Sequence, residues 1–135
     1  MIHKNAPIGV FDSGVGGLTV AREIMRQIPN EKIVYFGDTA RVPYGSKSKD
    51  TVTRFSRQIV RFLKTQNVKA IVIACNTATS IALRYLQQKF IPSYAPDIKV
   101  LGVVIPTVEE ALEDDAKKIG ILATKTTTNS HIYQQ

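Results

Sequence analysis

Cysteine is nearly absent from this chain: Cys75 is the only one. No internal disulfide can form, and a free thiol fits a reducing compartment, so the cytoplasm is the expected location. Long apolar runs are missing as well, and none approaches the roughly 20 residues of a membrane span. The opening Met1-Ile2-His3-Lys4-Asn5-Ala6-Pro7 lacks the apolar core of a secretory signal. There is no zinc-ligand spacing, no aromatic RNA-binding motif and no Arg/Lys-rich tail. Internal repeats and low-complexity segments are also missing. Neither a metal nor a membrane is expected.

What remains is an ordinary globular composition in 135 residues, enough for a compact domain with a real core. The formal charge of +7 is unevenly spread, with residues 1–89 carrying the positive excess and residues 90–135 slightly acidic. Arg54, Arg57, Arg61 and Lys64 recur at helical spacing, opposite Val52, Phe55, Ile59 and Phe62. Such a stripe can track phosphates, but a solvated helix face is the commoner meaning. Nucleic acid is not expected as a partner.

Apolar patterning alternates strand with helix. Strands are predicted at residues 8–11, 33–36, 70–74, 100–103 and 119–123. Helices are predicted over 18–28, over 50–66 with Asp50 as cap, over the stretch following Cys75, and from Pro106 onward, where early acidic residues suit the helix dipole. Pro92 and Pro96 mark a connection, and residues 126–135 start like a helix without a terminating signal, as if the chain were cut. This alternation predicts an α/β fold with a parallel sheet flanked by helices on both faces.

Parallel strands put their C-terminal ends on one edge, where ligands bind. The loops there hold Asp12-Ser13 with Gly14-Val15-Gly16-Gly17, Asp38-Thr39, Pro43-Tyr44-Gly45-Ser46, Cys75-Asn76-Thr77, and Thr124 and Thr127. The glycine turn is neither the dinucleotide pattern nor a P-loop. Asp12 at its mouth would repel phosphate, while a carboxylate beside backbone N–H groups suits a zwitterion, the acid facing an ammonium. Alone, Asp12-Ser13 reads as turn chemistry and Asp38 as a loop cap. Cys75 lies past the end of an apolar strand and before a helix, an electropositive position that suits an anionic sulfur. A lone cysteine is more often inert packing.

Three segments carry a specific resemblance. Gly9-Val10-Phe11-Asp12-Ser13-Gly14-Val15-Gly16-Gly17-Leu18, Tyr35-Phe36-Gly37-Asp38-Thr39-Ala40-Arg41-Val42-Pro43-Tyr44-Gly45 and Ile73-Ala74-Cys75-Asn76-Thr77-Ala78-Thr79 resemble glutamate racemase, of the aspartate/glutamate racemase superfamily. The resemblance runs in order from Pro7 to the end of the chain. It implies a cofactor-independent enzyme that interconverts L- and D-glutamate with two cysteines, supplying D-glutamate for peptidoglycan. By the resemblance, Cys75 is the first of the two and Asp12 assists its proton transfer. Asp12, Ser13, Tyr44, Gly45, Asn76, Thr77, Thr124 and Thr127 then contact substrate. It further implies two α/β domains, here a first over residues 1–99 and the beginning of a second over 100–135, and a homodimer as the full-length enzyme.

The second cysteine of that pattern is missing, so half of the site is expected here and the chain alone is expected to be inactive. No lysine sits where a pyridoxal Schiff base would need it. Two other readings stay open. One is another racemase or a decarboxylase of the superfamily. The other is an inactive interaction module whose basic stripe meets an acidic partner.

Overall fold

The computed structural model describes residues 4–113 and 117–134; His3 and Gln135 lie outside them. Four short apolar segments form one parallel sheet: β1 (Ile8–Asp12), β2 (Ile33–Gly37), β3 (Ala70–Ile73) and β4 (Lys99–Gly102). Their order is β2-β1-β3-β4. The sheet alternates its side chains between two layers, as a strand's period of two requires. Phe11, Ile71 and Ile73 face a core shared with α2 (Lys49–Thr65) and α3 (Asn76–Tyr85), while Val10 and Val72 pack with Ala21 and Ile24 of α1 (Leu18–Gln27). Helices on both faces of a parallel sheet make this an α/β protein.

Register aligns the strand ends that matter. Asp12 pairs with Gly37, and Ile73 with Gly102. The chain leaves β1 toward β2 on one side and returns to β3 on the other. That reversal opens a crevice beyond the carboxyl ends of β1 and β3, the place where parallel sheets bind ligands.

Four local expectations are corrected. Residues 119–123 form no strand: Ile119, Ile121 and Leu122 are exposed, so their apolar side chains have no layer to bury against. The cap of α2 is Ser48, whose Oγ accepts from the Thr51 N–H at 3.2 Å, and Asp50 sits within the first turn instead. Pro92 does not end its helix. Leu86–Phe90 widens into a π-helical turn, in which the Ile91 N–H reaches the Leu86 carbonyl, and α4 (Ile91–Tyr94) continues through the proline. The wider turn accommodates a ring that would otherwise strike the carbonyl four residues back. The basic stripe, finally, is more than a solvated face: Arg57 lies over the Phe90 ring at 5.0 Å and Lys64 over Tyr94 at 4.1 Å. These cations pack α2 onto the helical segment at residues 86–94: the Arg57 Nε is buried against it, and Lys64 Nζ also donates to the Tyr94 carbonyl at 2.7 Å.

The rest of the chain rims the carboxyl edge. α5 (Val104–Glu113) begins two residues before Pro106, and the short α6 (Lys125–Asn129) is followed by a single 3-10 turn, Ile132–Gln134. The boundary expected between residues 99 and 100 falls inside β4, which is paired with β3 in the first sheet.

Candidate active site

Cys75 lies two residues past the end of β3 and caps α3 with its own side chain. Its backbone is extended, and its Sγ accepts from the Ala78 N–H at 3.3 Å. The sulfur therefore does what Ser or Asp does at most helix starts, satisfying one of the free N–H groups. The positive end of α3 faces it, an arrangement that supports negative charge there. Cys75 is 6% exposed, so the sulfur is nearly dry yet reaches the cleft.

The β1–α1 turn supplies the opposite wall. Asp12 Oδ2 accepts from the Gly14 N–H at 3.0 Å, and Ser13 Oγ accepts from Cys75 Sγ at 3.4 Å. The turn can approach this closely because Gly17 lacks a side chain; a Cβ there would lie 2.6 Å from Asp12 Cβ and 2.8 Å from that of Ala74. A third wall comes from α6. Thr124 caps it by accepting from the Thr127 N–H at 3.3 Å, and its hydroxyl meets Thr77 at 2.8 Å. Thr127 joins the same cluster, 3.2 Å from Thr77 and 3.0 Å from Thr124.

Together these walls enclose a cleft of about 730 Å³. Of the residues expected from the sequence, Asp12, Ser13, Cys75, Asn76, Thr77, Thr124 and Thr127 line it. Tyr44 and Gly45 do not. The Tyr44 ring is buried beside Phe55, and its hydroxyl donates to Asp38. Burial, the Asp38 hydrogen bond and the Asp38 charge hold its phenol far above the usual range, so it stays a donor. Asp38 also takes Arg41 at 2.7 Å, which makes it a structural anchor of the loop. Gly45 acts from behind the wall: its carbonyl accepts the Thr126 hydroxyl at 2.7 Å.

Two tyrosines were not legible as site residues. Tyr133 lines the cleft and donates to Asn76 Oδ1 at 3.0 Å. Tyr35 reaches from β2 beneath the glycine turn and donates to the Gly14 carbonyl at 3.2 Å. Neither belongs to a recognisable spacing, since both arrive by tertiary approach. Among the described residues no group of His, Cys, Asp and Glu is arranged to hold a metal ion, and no helix is long and apolar enough to cross a membrane.

A parallel sheet with a buried, helix-capping cysteine and a carboxylate lining one cleft at its switch point defines the class: an α/β protein with a polar cleft at the carboxyl edge of its strands. The family model for Asp/Glu/Hydantoin racemase matches residues 8–135, and the chain belongs to that family. It is 46% identical to the glutamate racemase of Trichormus variabilis over 132 residues, 98% of this chain and 43% of that protein. Against the glutamate racemase of Lactococcus lactis subsp. cremoris the identity is 48%, covering 97% and 46%. Among solved structures, glutamate racemase isoform RacE1 from Bacillus anthracis superposes with a TM-score of 0.89 at 47% identity, over 98% of this chain and 48% of that one. The Francisella tularensis enzyme, solved in complex with D-glutamate, gives 0.80 at 46% identity, over 96% and 47%. The chain thus spans about half the length of the relatives it matches.

Proposed function

We propose that this chain carries one of the two proton-transfer faces of a glutamate racemase, with Cys75 as the base for one enantiomer and Asp12 as its partner. The observation that carries the reading is the placement of the Cys75 sulfur. It caps α3 at the floor of the cleft, touches Ser13, and shares that cleft with Asp12.

An amino-acid α-proton is very weakly acidic, so the base that removes it must be dry, close and oriented. Burial dries the sulfur, and its bonds to Ala78 and Ser13 aim it. The hydroxyls of Thr77 and Thr124 and the amide of Asn76 offer partners for the substrate's carboxylates, while Asp12 answers its ammonium. Inversion needs a proton donor on the opposite face. The 135 residues hold no second thiol, and His131 is exposed and bonded to Gln134. The opposite face, the complete activity and the supply of D-glutamate to peptidoglycan belong to the full-length enzyme, a cytoplasmic homodimer in this reading. The division into a first unit and the start of a second, expected at residues 99 and 100, is part of the same proposal, with the first unit extended to include β4 because that strand pairs with β3. The basic stripe, stacked on Phe90 and Tyr94, gives the interaction-module alternative no support.

The test is protection of Cys75. D-Glutamate at millimolar concentration is expected to slow alkylation of Cys75 by iodoacetamide, with glutarate as a control lacking the ammonium. Alkylation indifferent to D-glutamate would overturn the assignment. Circular dichroism of D-glutamate incubated with the chain is expected to show no inversion, and full racemisation would overturn the one-face reading.

A further inference from the structure

We propose that Tyr35 is a positioning residue: its hydroxyl, through the Gly14 carbonyl, fixes the turn that sets Ser13 against Cys75. The inference rests on the functional reading above.

Two observations converge on Gly14. Tyr35 Oη donates to the Gly14 carbonyl at 3.2 Å, a side-chain hydrogen bond that ties this turn to β2 just as the Cys75–Ser13 contact ties it to the segment after β3. From the same strand, Gly37 leaves room for that carbonyl, since a Cβ at position 37 would lie 2.5 Å from the Gly14 oxygen. β2 therefore builds a seat for one carbonyl, with a donor on one side and an emptied side-chain position on the other. The consequence passes along the turn. The Gly14 N–H is the donor to Asp12, and Ser13, one residue earlier, touches the sulfur.

The ring is anchored independently of its hydroxyl, because it packs with the layer formed by Val10, Ala21 and Ala74. Burial, with the Asp12 and Cys75 charges nearby, pushes the phenol above its ordinary value, so the hydroxyl keeps its proton and remains a donor.

The experiment measures the alkylation rate of Cys75 by iodoacetamide at one fixed pH in the 135-residue chain. The variants are Tyr35→Phe, Gly37→Ala, Ser13→Ala and the double Tyr35→Phe/Ser13→Ala. Tyr35→Phe and Gly37→Ala are each expected to change the rate about threefold or more, in the same direction as Ser13→Ala, the scale set by one net hydrogen bond. The double variant is expected to match Ser13→Ala alone. A smaller effect of Tyr35→Phe, or one that persists undiminished without the Ser13 hydroxyl, would overturn the proposal. So would loss of native circular dichroism in both Tyr35→Phe and Gly37→Ala, which would make the contact a support of the fold and not of the site. Protection by D-glutamate, read on the wild-type chain, separates the two readings. Its absence strikes the racemase assignment, while intact protection with an unresponsive Tyr35→Phe strikes this one alone.

Discussion

The hydroxyls of Thr77 and Thr124 meet at 2.8 Å although 47 positions separate them. One belongs to the first turn of α3, the other caps α6. This contact closes the cleft on the side facing Cys75, and Thr126 reinforces it by donating to Gly45. A short helix of five residues is marginal alone, so these side-chain bonds hold it in place.

Thr124→Ala removes both the α6 cap and the bond to Thr77. The expected cost is about 1–2 kcal/mol, concentrated at residues 124–130. Amide hydrogen exchange is expected to rise there with little change in the sheet. Uniform loss of protection across the chain would contradict a local role.

Gly45→Ala places a Cβ where Thr124 Cβ stands 2.6 Å away. Either α6 or the loop must move, at an expected cost of about 1–3 kcal/mol. Urea denaturation is expected to show the loss, and D-glutamate protection of Cys75 is expected to weaken with it. A variant as stable as wild type would show that the wall can shift freely.

Cys75 can be separated into cap and chemistry. Cys75→Ser retains an acceptor for the Ala78 N–H and is expected to keep the wild-type denaturation midpoint. Cys75→Ala leaves that N–H without its partner and is expected to lose about 1 kcal/mol. Equal stability of the two variants would remove the sulfur's capping role.

Tyr44 sets an alkaline limit. Its folded phenol is raised above the ordinary value of 10.0, with burial as the first cause. Below pH 10 the tyrosine is protonated in both states and its contribution to stability is intact. Above it, the unfolded chain releases a proton that the folded chain keeps. Stability then falls by up to about 1.4 kcal/mol per pH unit from this group until the raised value is reached. Tyr44→Phe is expected to lose stability at neutral pH, because Asp38 loses a buried donor, and to show a shallower alkaline decline. Parallel wild-type and variant curves above pH 10 would contradict this.

Much of the fold was legible because local rules and tertiary demand agree. Strands predicted at 8–11, 33–36, 70–74 and 100–103 each form within a residue of their expected ends, since each is a short apolar run between turn residues. Residues 119–123 have the same pattern and form no strand. Apolar periodicity states that a segment can be buried; it does not supply the layer that buries it. Pro92 fails for a related reason, because a π-helical turn is invisible to a rule that treats proline as a stop.

The site divides in the same way. The sequence by itself determined the parallel α/β class, the family, and the grouping of Asp12, Ser13, Cys75, Asn76 and Thr77 at one edge, because parallel strands send all their following loops to the same side. Only the tertiary structure decided that Tyr44 turns inward to Asp38, that Cys75 caps its own helix, and that Tyr35 and Tyr133 reach the turn and the cleft. Those outcomes depend on side-chain reach across elements distant in sequence, and hydrogen bonds formed that way leave no period or spacing in the chain.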